Sequence, residues 1–353
     1  MDHSGSENYV VLNLRPGELV EVRNEAEILA TLDAAGTLDA LPFMPEMLEF
    51  CGKKFIVYKR SDKTCDTIDN TGGRRMWHTV HLENLRCDGG GHGGCQARCL
   101  LFWKEAWLKR VRPSLLQRIS AKLRGTVKPA RQSTAKSLTH EELLRTTIVS
   151  DERLNPGEEI YSCQATELLK ASVPLAWWDI RQYFQDVWTG NASLVELANI
   201  LCIHLFTNIL KVGIGHWTLV STYNKIQEKC GGTPYPFRRG TLTKTPVEEL
   251  HLQTGELVQV KTQDEILKTL DKRNKNRGLF FDVEMAPYCN GKFRVLQRVE
   301  RIISEKTGRM TKLPGDCIML EGVVCKAVYS EKRIACPRSI YSYWREIWLK
   351  RAE

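Results

Sequence analysis

The sequence predicts an α+β fold in which two duplicated, small, strand-rich and cysteine-rich modules flank a helical middle domain. Three observations support this prediction: one sequence unit occurs twice, the segment between the copies has helical patterning, and the chain is long enough for several domains. The 353 residues are 42% hydrophobic and 26% charged. These values are typical of folded globular proteins and exclude disordered and collagen-like classes.

The duplication rests on a long run of identities near the two ends of the chain. Residues Gly17–Asp33 match Gly255–Asp271 at eleven of seventeen positions. The offset of 238 residues holds without a gap as far as Cys87 and Cys325, and a shift of three residues then aligns the tryptophan-rich closing segments. Two copies separated by a long unlike segment indicate two similar domains, since a solenoid needs three or more adjacent repeats.

The secondary structure of each module is predicted from its periodicity. Glu18–Arg23 and Lys54–Lys59 have strand-like patterns, whereas Glu25–Leu32 has helical spacing. Trp103 and Trp107 stand four residues apart on one predicted helical face, where we expect them to pack on the module's core. The chain is then divided into a first repeat module, a basic linker, a helical middle domain and a second repeat module: 9–111, 112–137, 138–240 and 241–353.

The linker is strongly basic. Between Lys109 and Lys136 there are nine Lys or Arg residues and no acidic residue. Such a run is typical of a solvated linker. Contact with a nucleic acid is the alternative, although the run has no interleaved aromatic side chains on which bases could stack.

The middle segment is predicted to be largely helical. Thr139 is placed to cap one helix, and Asn191 begins a turn before an apolar helix that ends near Gly213. The glycines and prolines of Cys230–Gly240 mark its end. An aromatic cluster is predicted to form a buried seam of this domain: Trp177, Trp178, Tyr183, Phe184 and Trp188.

Composition and the first residues predict a cytoplasmic protein. Met1–Asn8 has the features of neither a secretory nor a lipidation signal, and polar residues interrupt the most apolar stretch, Leu194–Ile214, so we expect no membrane span. The twelve cysteines of a cytoplasmic chain would be mostly reduced, which favours metal ligation or packing over disulfides. The formal charge of +9 suits an acidic partner.

The strongest chemical feature is the glycine-rich loop from Cys87 to Cys99, which also contains His92 and Cys95. Thiolates and imidazoles close together suit zinc, with an iron–sulfur cluster as the alternative. Three cysteine positions recur in both modules, so each module could hold one zinc. The candidate ligands come from both copies: Cys51, Cys65, Cys87, His92, Cys95, Cys99, Cys289, Cys317, Cys325 and Cys336.

Other interpretations of these residues remain open. Reduced cysteines are often buried as small hydrophobic groups, and the recurrence would then record common descent alone. A catalytic metal could use His81, Glu83 and Asp88 of the first module. A nucleophilic Cys95 or Cys99 beside His92 is a further alternative. No nucleotide-binding loop, nucleophile elbow or other complete catalytic signature occurs, so the catalytic residues are unknown.

Several runs of sequence resemble a family of uncharacterised bacterial proteins that are similar to ones encoded in polysaccharide or secondary-metabolite gene groups. These runs span most of the chain: Cys163–Leu169, Arg277–Cys289, Leu320–Cys325, Cys336–Ser339 and Tyr343–Leu349. The resemblance implies no activity. The Gly-Glu-Leu-Val run at Gly17 and the Cys-Gly-Lys-Lys-Phe run at Cys51 resemble SH3-like barrels, which is a likeness of fold and not of function.

Three functions are therefore expected from the sequence. The first is a cytoplasmic, zinc-stabilised binding or accessory protein of a biosynthetic pathway, which binds a protein partner or a small-molecule ligand. The second is a metalloenzyme with its site at the Cys87–Cys99 loop. The third is a nucleic-acid binder that uses the basic linker.

Overall fold

The structure is a computed structural model that describes residues 11–111, 138–149, 159–212, 216–331 and 333–352. Helices make up 25% of the protein and strands 26%, which confirms the predicted α+β class. The predicted basic linker, 112–137, lies outside the described residues.

Contacts divide the chain into two compact units. The first unit comprises residues 1–193 and 303–311, and the second comprises residues 194–302 and 312–353. Residues 138–193, which were assigned to a helical middle domain, fall in the first unit. The four-part division itself stays a prediction.

The first unit is built mainly from short strands. Its strands are β1 Leu19–Val22, β2 Thr37–Leu38, β3 Leu41–Pro42, β4 Lys54–Arg60, β5 Lys63–Cys65, β6 Gly73–Arg75, β7 Thr79–Leu82, β8 Trp103–Lys104, β9 Leu108–Arg110, β10 Ile148–Val149, β11 Ile160–Tyr161 and β12 Val173–Leu175. Its helices are α1 Glu25–Leu29, α2 His140–Thr146 and α3 Arg181–Thr189, with short 3-10 helices at Pro45–Phe50 and Glu105–Trp107.

A five-stranded antiparallel sheet in the order β8-β7-β4-β1-β9 forms the centre of this unit. Strand β1 alternates as predicted, because Val20 and Val22 are fully buried while Leu19 is exposed. Asn24 caps α1 through a capping box with Glu27, which confirms the helix predicted after the first strand.

The two tryptophans of the closing segment lie in the core, as predicted. Trp103 and Trp107 are fully buried, and the ring of Trp107 packs edge-on against Phe43 with centroids 5.1 Å apart. The segment between them is a single 3-10 turn, Glu105–Trp107, and not the α-helix that the spacing suggested. Only three residues are helical there, because β8 ends at Lys104 and β9 begins at Leu108.

A buried carboxylate fastens the start of the described chain to this core. Glu105, which is fully buried, accepts the backbone N–H groups of Leu12, Asn13 and Leu14 at 2.7, 2.8 and 2.8 Å. The guanidinium of Arg60 lies 2.8 Å from the same carboxylate. Four donors thus compensate the cost of burying this charge.

Residues 138–193 complete the first unit. Thr139 caps α2 with a capping box, as predicted. The side-chain amide of Gln164 forms two hydrogen bonds with the backbone of Phe102 in the core. Its oxygen accepts the Phe102 N–H at 2.8 Å, and its nitrogen donates to the Phe102 carbonyl at 2.9 Å. Strand β12 pairs with β6, so this part of the chain extends the sheet that β6 forms with β5.

The predicted burial of the aromatic cluster is wrong for four of its five members. Only Tyr183 is buried, whereas Trp177, Trp178, Phe184 and Trp188 are 63 to 77% exposed. The reason lies in how α3 is oriented: polar residues of the helix, Gln182 and Asp186, face inward.

The second unit has strands β13 Leu257–Val260, β14 Lys275–Asn276, β15 Leu279–Phe280, β16 Lys292–Arg298, β17 Arg301–Ile303, β18 Met310–Lys312, β19 Cys317–Val324, β20 Tyr341–Arg345 and β21 Leu349–Arg351. Its helices are α4 Leu194–Val212, α5 His216–Lys229 and α6 Gln263–Leu267, with 3-10 helices at Val283–Tyr288 and Glu346–Trp348. The tip of the β17–β18 hairpin, residues 303–311, is counted with the first unit.

Its sheet has the order β20-β19-β16-β13-β21, with the same pattern of neighbours as the first sheet. Glu346 is fully buried and accepts the N–H groups of Leu250, His251 and Leu252 at 2.6, 3.0 and 3.0 Å, and Arg298 lies 2.6 Å from it. Burial raises the pKa of Glu346, but these hydrogen bonds outweigh it and hold the pKa below its usual value.

Helix α4 begins and ends close to where the sequence predicted. Its window Leu194–Lys211 has a mean hydropathy of 1.4, and 28% of that window is buried. By length and composition alone, this helix could cross a membrane. Apolar core helices pass the same test. Among the described helices it is the one that does.

Candidate metal centre

Three ligand atoms converge in the first unit, from Glu46, Cys87 and His92. The Cys87 Sγ lies 3.2 Å from Glu46 Oε1 and 3.4 Å from His92 Nε2, and His92 Nδ1 lies 3.5 Å from Glu46 Oε1. One ligand atom from each residue lies within 4.8 Å of the others, and no other group of three such residues does so in the part of the chain that the structure describes. The separations suit three ligands of one ion.

Local structure places each of the three side chains. Glu46 is in the first turn of the 3-10 helix that begins at Pro45. Cys87 follows β7 and is fixed by its N–H, which donates to the Cys99 carbonyl at 2.9 Å. His92 lies in the glycine-rich loop, where its N–H donates to the Gly89 carbonyl at 3.1 Å.

Two glycines allow this loop to close on the site. Gly89 has a φ of +82°, and a Cβ there would lie 2.2 Å from the Cys95 carbonyl oxygen. At Gly91 a Cβ would lie 2.5 Å from Glu46 Oε2. A larger residue at Gly89 would force the loop apart at Cys95, and one at Gly91 would push the loop away from the Glu46 carboxylate.

The site is buried and has polar atoms without close hydrogen bonds. The side chains of Glu46 and His92 are 5% and 2% exposed, and Cys87 is 8% exposed. Glu46 Oε2 has no hydrogen-bond partner, and His92 Nδ1 has no contact that qualifies as a hydrogen bond besides its 3.5 Å approach to Glu46 Oε1. A buried carboxylate oxygen and imidazole nitrogen are normally satisfied, and a cation between them would supply the missing interaction.

The electrostatics of the site oppose a thiolate in the absence of a cation. Burial, followed by the charge of Glu46, raises the pKa of Cys87 well above its usual value. Burial also lowers the pKa of His92, despite the nearby carboxylates. A nucleophilic cysteine needs a depressed pKa, usually beside an imidazolium. The arrangement therefore suits metal ligation better than nucleophilic catalysis.

The structure brings two of the predicted ligands together and adds one that sequence reasoning missed. Cys87 and His92 were predicted, whereas Glu46 was not. A signal for Glu46 was present, because it recurs as Glu284 in the same alignment that revealed the recurring cysteines. A search for metal ligands that considers only cysteine and histidine does not find Glu46.

The remaining cysteines predicted as ligands in the first unit lie in other surroundings. Cys51 and Cys99 are half-buried and pack on the hydrophobic core, and Cys65 is buried in β5. The Sγ of Cys95 is 3.3 Å from the N–H of Ile303, a residue counted with this unit. Cys99 remains close enough for its charge to raise the pKa of Cys87, as does Cys163.

The cysteines predicted as ligands in the second unit do not assemble with other ligands in its described part. Cys289 is half-buried on the core, while Cys317 packs in an apolar cluster beside Val299. Cys336 is buried. Burial raises the pKa of Cys325 to about 12.

The second unit has an arginine where the first has His92. The backbone bond from Arg333 N–H to the Ser330 carbonyl, 3.0 Å long, corresponds to the bond from His92 N–H to Gly89. Arg333 Nη1 lies 3.8 Å from Cys325 Sγ, and its guanidinium also forms an ion pair with Asp282. A fixed side-chain cation thus stands beside the recurring cysteine.

The recurring glutamate of the second unit is also occupied. Glu284 Oε1 accepts the backbone N–H groups of Tyr329 and Ser330 at 2.6 and 2.8 Å. In the first unit Glu46 contacts Cys87 and His92 through Oε1 and leaves Oε2 without a hydrogen bond. The two corresponding sites therefore differ in their need for a cation.

The residues suggested for a catalytic metal do not join the group. His81 is fully buried, with Nδ1 2.8 Å from the Leu101 carbonyl oxygen. Glu83 is exposed, and Asp88 accepts the Gly90 N–H at 2.8 Å. Asp88 acts on the site only through its charge, which raises the pKa of His92.

Comparison with known protein families, with curated proteins and with solved structures finds no match to this chain.

Proposed function

We propose that the first unit binds a zinc ion through Glu46, Cys87 and His92, and that the chain is a cytoplasmic, zinc-stabilised binding or accessory protein. The observation that carries this proposal is the pair of buried atoms without a close hydrogen bond, Glu46 Oε2 and His92 Nδ1, beside the Cys87 thiol. A mixed sulfur, nitrogen and oxygen donor set is one that zinc accepts, and an iron–sulfur cluster, which prefers several thiolates, fits it less well.

We infer also that the two units are copies of one small module and that the second copy has lost its metal. The sequence identities, the equal strand order and the paired carboxylates Glu105 and Glu346 support common descent. Arg333 supports the loss of metal, because its charge beside Cys325 would repel a divalent ion. We also propose that each module is an SH3-like barrel and that the protein acts with the products of a bacterial biosynthetic gene group.

Burial of the three ligands favours a structural ion. A structural zinc has four protein ligands, and the fourth would come from Cys99 or Cys163, the two cysteines whose charges reach Cys87. Zinc would stabilise the deprotonated Cys87 and join the helix of Glu46 to the loop of His92. Its role would then be to hold the surface of the first unit in a shape that a partner recognises.

One observation favours a metalloenzyme as the second candidate. Three protein ligands converge, which is the number that catalytic zinc sites use while leaving a position for water. A nucleic-acid binder remains the third candidate, and the basic run on which it depends lies outside the described residues.

Elemental analysis of the untagged protein, purified under reducing conditions, tests the main proposal. We expect one zinc per chain in the wild type and none in Cys87→Ala, His92→Ala or Glu46→Gln. Cys325→Ala is the matched control in the second unit and should keep its zinc. Wild-type protein without stoichiometric metal contradicts the proposal.

The number of protein ligands separates the two metal-based candidates. Cobalt can replace zinc, and its absorption spectrum reports both thiolate ligation and coordination number. A four-coordinate spectrum that changes in Cys99→Ser or Cys163→Ser supports a structural ion. A spectrum that is insensitive to both variants but changes when azide is added supports an open, catalytic position.

A further inference from the structure

Helix α3 of the first unit buries mainly polar side chains and exposes apolar ones, which is the opposite of an ordinary amphipathic surface helix. Its buried residues are Gln182, Tyr183 and Asp186, at 5, 9 and 4% exposure. The opposite surface and the turn before the helix present large apolar side chains that are 63 to 77% exposed, which we call the aromatic face: Trp177, Trp178, Ile180, Phe184 and Trp188. Ordinary surface helices bury such side chains.

Buried polar contacts hold the helix in this orientation. Asp186 forms an ion pair with Lys63 in which both side chains are less than 10% exposed. The Tyr183 hydroxyl donates to the Trp177 carbonyl at 2.8 Å, and Gln182 donates to the Ala176 carbonyl at 2.9 Å. Rotating α3 to bury its aromatic residues would break all three interactions, so the aromatic face is a fixed outer surface.

The end of α3 is fastened as well. Asn191, just beyond the helix, accepts the Arg60 N–H at 2.7 Å and donates to the Arg60 carbonyl at 2.9 Å. Gly190 ends the helix with a φ of +86°. Both ends of the element that displays Phe184 and Trp188 are therefore defined, and five large exposed apolar side chains in twelve residues mark an interaction surface.

The composition of the aromatic face suits a lipid surface. Three of its five side chains are tryptophans, which favour the boundary between lipid headgroups and acyl chains, and Ile180 adds an aliphatic side chain. Bases of a nucleic acid stack on aromatic rings, but an aliphatic side chain offers no such surface. The combination therefore favours lipid over single-stranded nucleic acid.

Positive charge accompanies the face. The side chain of Arg181, between Ile180 and Phe184, is 82% exposed, but its charge is balanced by Asp179, whose carboxylate accepts from the guanidinium at 2.8 and 3.0 Å. The guanidinium of Arg15 lies 5.8 Å from the centre of the Trp188 ring. The charge of Arg15 at this edge of the face is complementary to a bilayer with anionic lipids.

We propose that the aromatic face binds the surface of an anionic membrane. Phe184, Trp188 and their neighbours would insert between the headgroups, while Arg15 would contact lipid phosphates. This interaction is peripheral and needs no spanning helix. It is also independent of the zinc site, since none of its residues is a proposed ligand.

Vesicle binding tests this proposal. Full-length protein would be sedimented with phosphatidylcholine vesicles that contain or lack phosphatidylserine. We expect binding to the anionic vesicles at low salt, and quenching of tryptophan fluorescence by brominated lipid. Trp188→Ser combined with Phe184→Ser should abolish both, and because both side chains are exposed these changes should leave thermal unfolding unchanged.

Two further variants sharpen the test. Arg15→Gln should weaken binding to anionic vesicles about fivefold, as expected for one basic residue at a charged surface. Phe280→Ser, at an exposed aromatic residue of the second unit that is 47% exposed, is the matched control and should bind as the wild type does.

Three results would overturn the proposal. The first is wild-type protein that fails to sediment with anionic vesicles at low salt. The second is a concentration-dependent dimer, seen by light scattering without lipid, that disappears in the Trp188 and Phe184 double variant. The third is binding to a single-stranded oligonucleotide that the same double variant loses, because the face would then stack bases.

Discussion

The guanidinium of Arg333 lies 3.8 Å from the Cys325 thiol, in the position that the His92 imidazole takes beside Cys87. One unit thus has a side-chain cation where the other has an imidazole whose pKa is lowered by burial. Both sites also have a glutamate, but Glu284 accepts two backbone N–H groups whereas Glu46 Oε2 has no hydrogen-bond partner.

The first prediction follows from this exchange. Arg333→His should create a second site and raise the zinc content from one to two per chain, because it replaces a fixed positive charge with a ligand. Arg333→Gln removes the charge without adding a ligand and should leave the content at one. Elemental analysis of both variants checks this, and a content of one in Arg333→His would show that the backbone bonds to Glu284 exclude the metal.

The second prediction concerns the stability of the first unit. Removing zinc with a chelator, or by Cys87→Ala, should lower its free energy of unfolding by about 4 kcal/mol if zinc is present at a thousandfold excess over its dissociation constant. Hydrogen exchange of the first sheet measures the change. Chelator should have no effect on the exchange of the second sheet, and equal losses in both would contradict a single site.

The third prediction separates Cys95 from the metal ligands. Cys95→Ala should keep its zinc, since the Cys95 thiol contacts the Ile303 N–H and lies outside the group of three. Cys87→Ala should lose it. Loss of zinc from Cys95→Ala would place Cys95 in the coordination sphere, which is the set of ligands that the sequence first suggested.

The fourth prediction uses the two buried glutamates of the closing turns. Glu105→Gln should destabilise the first unit by about 3 kcal/mol, because it removes the charge that accepts from Leu12, Asn13 and Leu14 and replaces one acceptor oxygen with a donor. Glu346→Gln should do the same to the second unit beside Arg298. Proteolysis followed by mass spectrometry locates the loosened unit, and each variant should expose cleavage sites in its own unit alone.

The fifth prediction is a dependence on acid. Burial raises the pKa of Asp66, but hydrogen bonds from Thr71, Asp69 and Ile68 outweigh it and lower the pKa to about 2. A lowered pKa gives stability that is complete above the unfolded value of about 3.9 and is lost as the pH falls toward 2. The contribution at neutral pH is about 2 kcal/mol.

Asp66→Asn removes this titrating group. The difference in unfolding free energy between wild type and variant should therefore shrink as the pH falls from about 4 to 2. Chemical denaturation at a series of pH values measures it. A difference that stays constant over this range would mean that the hydrogen bonds of Asp66 do not depend on its charge.

Much of the fold could be predicted from local sequence. The strands around Val20 and Phe55, the helix after Asn24 and the cap at Thr139 follow from patterns within a few residues of each other. The burial of Trp103 followed from its recurrence and spacing. Such features are determined by neighbouring residues, so one sequence suffices to identify them.

The aromatic residues of α3 could not be predicted in the same way. Their burial was expected because apolar side chains usually face a core, but Asp186 meets Lys63 across 123 positions of sequence. That ion pair selects which side of the helix faces inward. Periodicity shows that a helix has two faces and does not show which one the protein buries.

The candidate site was predictable only in part for a related reason. Cys87 and His92 are five residues apart in a loop, whereas Glu46 reaches them from 41 positions away. The ligand set therefore depends on the packing of a 3-10 helix against a loop. Cysteine spacing alone favoured Cys51 and Cys95, which the fold directs elsewhere.

The bonds from Glu105 to the N–H groups of Leu12 to Leu14 also set the order in which the chain can fold during translation. These partners are 91 to 93 positions apart, so residues 12–14 cannot be fastened until the segment that contains Glu105 has left the ribosome. Glu346 imposes the same delay on the second unit. Each unit should therefore close in a single late step, and a nascent chain halted before Glu105 would offer its open sheet to chaperones.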